Sequence, residues 1–515
     1  MKKLIQSLSY RSLPVILPAA FLLAMPAMAT AQDSGADASL DEITVTARRR
    51  EESLQDVPVA VTAVSGERLI ELGASDISEL QGLAPNLSIY PGRNQSTTLT
   101  AFVRGIGQAD PLWGVDPGVG LYIDDVYIAR PQGALLDVFD IERVEILRGP
   151  QGTLYGKNTI GGAIKYVSKP LSDEFESTVR LTAGEHEAQE VSARIGGALI
   201  EGQLRGKLAI ASLQRGGYGT NLFTGTDVSD KDTLAFRGAL EWIASDNLSF
   251  TLSADMTEDK SQPKGYDRLE PNPLCPAFLG APCNPLDNPH DVESGLVPTN
   301  GTETNGTSLT IDWGINDAWS FKSITAFRES DTNNNIDFDT TPAPIVDVFA
   351  AYYDDQLTQE FQLTYDAGGK FAGVMGAFYL DGEAGGLVRN IFVGSIFGTT
   401  NGRTETTSIG LYADGSYAMS DKLNLNFGLR ITEEEKRGVA FNAGYTDATF
   451  SVISLVTANY DNEETFNSVS PRLGLDYSVS DDVMLYGHVS RGFKSGGFNV
   501  RAQSVLSLIH ISEPT

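Results

Sequence analysis

From residue 175 to 493 the chain repeats one pattern. Apolar residues fall at every second position, and small polar or charged residues fill the positions between. In "LSFTLSADM" (248–256), Leu248, Phe250, Leu252, Ala254 and Met256 share one face. In "LNLNFGLRI" (423–431), Leu423, Leu425, Phe427, Leu429 and Ile431 do the same, and "RLGLDYSV" and "VMLYGHV" continue the series. Alternation of period two predicts β-strands with one apolar and one polar face. Tight polar turns recur at "ASDN" (244–247), "IND" (315–317), "MSDK" (419–422) and "VSDD" (479–482). Long segments rich in Asp, Asn, Pro and Gly, such as 260–303 and 434–464, join the other strand ends. Short turns at one rim and long loops at the other are the pattern of a barrel that crosses an outer membrane with strands. About thirteen strands are expected. A soluble sandwich or β-helix is the competing reading, but it rarely interleaves tight turns with loops of this length.

Residues 32–173 are patterned differently. "SGERLIELGASDISELQGLAPNL" has helix-like apolar spacing, whereas "VGLYIDDVYI" and "RVEILRG" are strand-like. This predicts a compact α+β domain of ordinary size. Before it stand a basic "MKK", an apolar run broken by prolines and the small-residue site "ATA" (29–31). That succession is a secretory signal peptide over 1–31, with an N-terminal membrane anchor as the alternative.

Composition adds export chemistry. The formal charge is −29, which disfavours nucleic acid, whose phosphates require cations. The two cysteines, Cys275 and Cys283, lie in the Pro-rich "PLCPAFLGAPCNP". In an oxidising compartment a local disulfide is the natural reading, with a metal site as its rival, although no His or third Cys is near.

The glycine-dense stretch "LRGPQGTLYGKNTIGG" (147–162) contains a "GK". A phosphate-binding loop G-x-x-x-x-G-K-[ST] would need glycine at Gln151 and a hydroxyl at Asn158, so the motif fails at two positions. "DTNNNIDFD" (331–339) has oxygen donors at calcium-loop spacing, but Ile336 stands where the loop needs glycine and Pro342 where it needs glutamate. No specific metal, cofactor or catalytic constellation emerges, and the chain is not expected to be an enzyme.

Three groups of motifs together resemble a TonB-dependent outer-membrane receptor, over residues 41 to about 500. "DEITVTARRR" (41–50) is similar to the family's TonB box. "SLQDVPVAVTAVSGERL", "LAPNLSI", "FVRGIG", "GVGLYIDDVYI" and "DIERVEILRGPQGTLYGKNTIGGAI" resemble plug elements. "LTQEFQLTY", "FGLRITEEEK" and "YGHVSRGFKSGGFN" resemble barrel strands. The resemblance implies an all-β transmembrane barrel, natively of 22 strands with about 13 in this chain, around an N-terminal α+β plug. It divides the chain into a signal peptide (1–31), a segment with the TonB box (32–50), a plug (51–173) and a partial barrel (174–505). Residues 506–515, "LSLIHISEPT", resemble translated library-adapter sequence and are read as non-native. The chain is thus expected to be C-terminally truncated.

The resemblance also implies function. Ile43, Thr44, Val45, Thr46 and Ala47 would add as a strand to TonB and its inner-membrane energising complex. Arg104 and Arg148 would lock the plug to barrel Glu360 and to Glu433, with Glu434 as the alternate. The glycines of 147–162 would serve packing. Gln108 and Trp113, in an apical loop, are candidates to meet a small-molecule ligand. The expected location is the outer membrane, with lipid and lipopolysaccharide as surroundings. An Fe(III)–siderophore is the first expectation for cargo, and a carbohydrate, terpenoid or other nutrient the alternative. A passive porin and a surface adhesin are the rival classes. Haem is disfavoured because "GFKSGG" replaces the haem importers' motif, and the short leader before residue 41 disfavours a signal-transducing role.

Overall fold

The computed structural model describes residues 43–92, 96–266, 268–297, 299–480 and 483–502. The expected signal peptide, the segment 32–42 and the 506–515 tail lie outside the described residues.

The polar–apolar alternation builds one antiparallel sheet of thirteen strands, from Glu176–Gly184 to Val483–Ser490. Every strand pairs with its neighbours in chain order. The strand Leu423–Tyr445 shows the facing rule. Phe427, Leu429 and Ile431 are exposed on the outside, whereas Asn426, Arg430, Thr432 and Glu434 are buried inside. Apolar-out and polar-in is the reverse of a soluble protein's plan and suits an outer surface bathed in lipid. No helix is long and apolar enough to cross a membrane among the described residues, which says nothing of crossing by strands.

The turns at 246–247, 317–318 and 419–422 are short, as expected. The long connection after Asp259 also holds, since the next barrel strand begins at Asn300. The expected loop 434–464 does not. Leu423–Tyr445 and Ile453–Ser480 extend through it as paired strands, and only 446–452 remain as a turn. The charged run "EEEKR" continues the alternation above the apolar band, where outward charges meet water. A strand needs only about 9–11 residues to cross the bilayer, and these two have 23 and 28.

Inside the sheet sits the plug. Its five-stranded sheet has the order Val61–Ser65, Ile141–Arg148, Gly162–Ser168, Val119–Ile123, Val126–Ile128. Only the pairing of Gly162–Ser168 with Val119–Ile123 is parallel. The expected helical stretch forms the helix Gly66–Glu71, capped by the Ser65 hydroxyl on the Arg68 N–H, and a 3₁₀ turn at Ile77–Leu80. Leu69, Ile77 and Leu80 pack on Val144, Ile146, Ile164 and Tyr166 to form the plug core. Three of the glycines in 147–162 hold a positive φ, Gly149 at +94° among them. Gly156 has φ +79° with the Arg430 guanidinium 2.8 Å from where a Cβ would stand, and Gly162 has φ +154° with the Leu147 carbonyl in the place a Cβ would take. A side chain at either would strain the backbone and collide.

Candidate functional site: the docked N-terminal segment and the plug–barrel seam

The alternating segment 43–47 forms a short strand, Thr44–Val45, antiparallel to Glu52–Ser53. It is docked rather than free. Val45 is 0 % and Ala47 1 % exposed, packed with Tyr122, Leu154 and Tyr155 of the plug and Val374 and Tyr412 of the barrel. Its main chain is occupied too. The Thr46 N–H donates to Glu145 Oε1 at 2.9 Å. Lys165 Nζ donates to the Thr46 carbonyl at 3.1 Å, and the Tyr155 hydroxyl donates to the Ala47 carbonyl at 3.0 Å. A strand held this way cannot pair with a second protein until those bonds open.

Three arginines follow it that sequence reading did not single out, and two of them, Arg48 and Arg49, fasten it to the barrel. Arg48 reaches Asp414 at 3.5 Å and the Ser416 hydroxyl at 2.5 Å. Arg49 lies between plug Asp125 at 2.8 Å and barrel Glu360 at 3.3 Å, with its guanidinium 4.6 Å from the Tyr155 ring centroid. Arg50 pairs with Glu52 at 2.8 Å. Glu360 also accepts a hydrogen bond from the Tyr412 hydroxyl at 2.6 Å. Burial opposes ionisation of Asp125, yet Lys165 and Arg49 hold its carboxyl well below the usual carboxylate range.

A second seam lies beyond the short helix Gly152–Tyr155. Lys157 Nζ meets barrel Glu434 at 2.7 Å, and barrel Lys436 meets plug Asp116 at 2.7 Å and Glu434 at 3.4 Å. Asn158 ties the two halves. Its Nδ2 donates to Asp116 at 2.9 Å and its Oδ1 accepts from the Ser495 N–H at 3.0 Å. The Ser495 hydroxyl completes the set on Glu434. Burial opposes ionisation of Asp116, but Lys436, Lys157 and Arg130 hold its carboxyl well below the usual range.

The anticipated locks are therefore redrawn. Glu360 is a seam residue, but its cation is Arg49, not Arg104 or Arg148. Arg104 sits in a tight turn with φ +54° and lies over Gly149, away from Glu360. Arg148 ends its strand half-buried, with no barrel carboxylate in reach among the described residues. Glu433 points outward and is exposed, and Glu434 occupies the seam. The signal for this was in the chain, because Phe427, Leu429 and Ile431 face outward and every odd-numbered neighbour must follow.

A family model described as the TonB-dependent receptor plug domain matches residues 53–163, and one described as the TonB-dependent receptor-like β-barrel matches 245–507. The chain belongs to the TonB-dependent receptor family. It is 22 % identical over 487 residues to the pesticin receptor of Yersinia enterocolitica, covering 93 % of this chain and 67 % of that one. It is 27 % identical over 197 residues to the vitamin B12 transporter BtuB of Vibrio vulnificus, covering 38 % of this chain and 30 % of that one. Its fold is that of the ferric yersiniabactin uptake receptor FyuA of Yersinia pestis, with a TM-score of 0.74 at 19 % identity over 88 % of this chain and 68 % of that one. The ferripyoverdine receptor of Pseudomonas aeruginosa matches with a TM-score of 0.68 at 16 % identity, over 88 % and 59 %.

In this receptor the apical candidates are engaged internally. Trp113 is buried and edge-on to Tyr352, with ring centroids 6.3 Å apart. Gln108 Oε1 accepts from the N–H groups of Ala109 at 2.9 Å and Asp110 at 3.1 Å. Below Trp113 a cavity of about 30 Å³, room for roughly one water, is lined by Asp116, Arg130, Lys157 and Asp354. The cysteines Cys275 and Cys283 are joined as a disulfide, with 5.8 Å between their Cα atoms.

The two depressed plug carboxyls set a pH dependence. Asp116 and Asp125 titrate below their ordinary value of 3.8. Their stabilising contribution is fully present above that value and is lost as the pH falls beneath it. Denaturation midpoints should thus fall on acidification below about pH 4. Asp116→Asn should flatten that fall, and an unchanged slope in the variant would refute the assignment.

Proposed function

We propose that this receptor actively imports a scarce ligand, an Fe(III)–siderophore in the first instance, across the Gram-negative outer membrane. The observation that carries the reading is the docked 43–50 segment. It is a β-prone strand held at the foot of the plug by buried charges, and release would free one edge for strand addition. Ligand binding above would loosen the seam, and TonB would then capture 43–47. Its inner-membrane complex would supply the work for uphill import. The iron preference is supported by the relatives: FyuA is a ferric yersiniabactin uptake receptor, and the Pseudomonas aeruginosa structure holds ferripyoverdine. The outward apolar band, with Leu411, Leu429 and Leu473 exposed, fits a lipid surround. Lipopolysaccharide would meet the charged outward positions above it. The Cys275–Cys283 disulfide would brace the long outer loop.

The test uses cells that express the receptor with and without TonB, given radiolabelled Fe(III) on candidate siderophores. Surface binding should be equal in the two strains, and uptake should occur only with TonB and an intact proton gradient. Uptake that ignores both would mean passive passage, as in a porin. Binding without uptake in either strain would mean an adhesin.

A further inference from the structure

The hairpin that joins strands Trp319–Asp337 and Val346–Asp366 carries three buried aspartates at its tip. Asp337 ends the first strand and stands directly opposite Asp347 on the second. Asp339 follows in the turn. An oxygen from each of the three lies within 4.8 Å of the others. The site is far above the membrane, since the strand Trp319–Asp337 has 19 residues and a crossing uses about 9–11 from the short-turn end.

Like charges directly opposite across a strand pair are destabilising, and no lysine or arginine forms an ion pair with Asp339 or Asp347 among the described residues. Of the neighbouring cations, Arg268 is committed elsewhere. Arg268 binds the carbonyls of Thr340 and Asn284 and the Glu293 carboxylate. Lys264 lines the same cavity as Asp337. Two of the carboxylates are held in position by hydrogen bonds. Asp337 accepts from the Ser294 hydroxyl at 2.6 Å and from the N–H groups of Asp339 and Thr340. Asp339 accepts from the N–H groups of Thr341 at 3.0 Å and Val346 at 2.7 Å. Asp347 differs. It is 8 % exposed, its carboxylate is directed at the other two, and no hydrogen-bond donor or cation meets it among the described residues. A nine-tenths buried, unpartnered carboxylate aimed at two oriented ones is costly unless a cation joins them.

We propose that Asp337, Asp339 and Asp347 form a binding site for a hard divalent cation, calcium by preference, that pins the outer hairpin to the disulfide-bearing loop. The donor set is all oxygen, which excludes preference for a soft thiophilic metal. Three carboxylates with room for carbonyl and water ligands suit the variable, six-to-eightfold coordination of calcium better than the strict octahedron of magnesium. The site also joins two loops. Ser294, which holds Asp337, belongs to the 260–299 connection, and Cys275 and Cys283 pack on Ala343 and Ile345 of the same hairpin. Occupancy would fix the outer mouth of the receptor, the surface through which any ligand must pass.

The experiment is calcium titration of the full chain in detergent after chelator treatment, with magnesium as a parallel arm. One saturable calcium site is expected, with Kd on the order of 10⁻⁴ to 10⁻³ M, the range of extracellular modules. Asp347→Asn should weaken it at least tenfold. Calcium should slow amide exchange over 338–346 in the unmodified chain and leave exchange in D347N unchanged. Absence of saturable binding to the unmodified chain at about ten times that range overturns the proposal, whatever the variant does. So does equal binding by D337N/D339N/D347N, or tighter binding of magnesium than of calcium.

Discussion

Glu434→Ala should loosen the plug from the barrel by about 3–5 kcal/mol, the cost of leaving a buried charge without its partner. Glu434 is 0 % exposed and stands between two ammonium groups, Lys157 of the plug and Lys436 of the barrel. Alanine removes the carboxylate and leaves both cations in a buried seam with Asp116 as their remaining counter-charge. It also removes one of the two acceptors of the Ser495 hydroxyl, leaving the Gly496 carbonyl at 3.2 Å. Glu434→Gln keeps an acceptor for that hydroxyl but not the charge, so it should fall between alanine and the parent. The control is the adjacent Glu433→Ala. That side chain points outward and is exposed, and surface substitutions of this kind usually stay within about 0.5 kcal/mol. Urea denaturation of the plug, followed by its susceptibility to protease, reads the difference. Equal effects of the two alanines would mean that the inward register of Leu423–Tyr445 is wrong.

Glu360→Ala should free the N-terminal segment while leaving the barrel folded. Arg49 has two carboxylate partners, Asp125 and Glu360, so losing one does not strand it completely. Its other support, the face of Tyr155, remains. A hydrogen bond to a charged group contributes about 1.5–3 kcal/mol, and each 1.4 kcal/mol is tenfold in an equilibrium. The undocked population of 43–50 should therefore rise roughly 10- to 100-fold. Trypsin cleavage at Arg48, Arg49 and Arg50 in the folded protein measures this, and binding of a soluble TonB C-terminal domain should tighten in step. Cleavage that rises equally in Arg104→Ala would return the lock to the arginine first expected from sequence. Unchanged cleavage in both would show that the packing of Val45 and Ala47, the main-chain bonds of Thr46 and Ala47 and the Arg48–Asp414 pair hold the segment without Glu360.

The two locks meet through a short stretch of plug. Lys157 lies two residues beyond Tyr155. The first meets barrel Glu434, and the second holds the carbonyls of Thr46 and Ala47. A shift of Lys157 would be felt at the docked strand without passing through the barrel wall. That continuity gives the proposed release a physical route.

The alternation between 175 and 493 determined the thirteen-stranded sheet, because a strand that separates lipid from lumen must alternate. The glycines of 147–162 likewise marked tight backbone by their density alone, since Gly156 and Gly162 adopt φ values that side chains resist. Parity distinguishes Glu434 from Glu433, so the inward glutamate was legible in the pattern of its own strand. The extension of paired strands through 434–464 was less legible, because charged residues above the membrane serve strands and loops equally well. Docking of 43–47 and the choice of Arg49 for Glu360 were decided only by tertiary structure. Those partners stand about a hundred to three hundred residues apart, and nothing local distinguishes Arg49 from Arg104 as a cation. Which one arrives depends on how the plug seats against the register of the wall. The same holds for Asp337, Asp339 and Asp347. Their spacing fails as a single calcium loop, and only the pairing of two strands brings the third carboxylate to the other two.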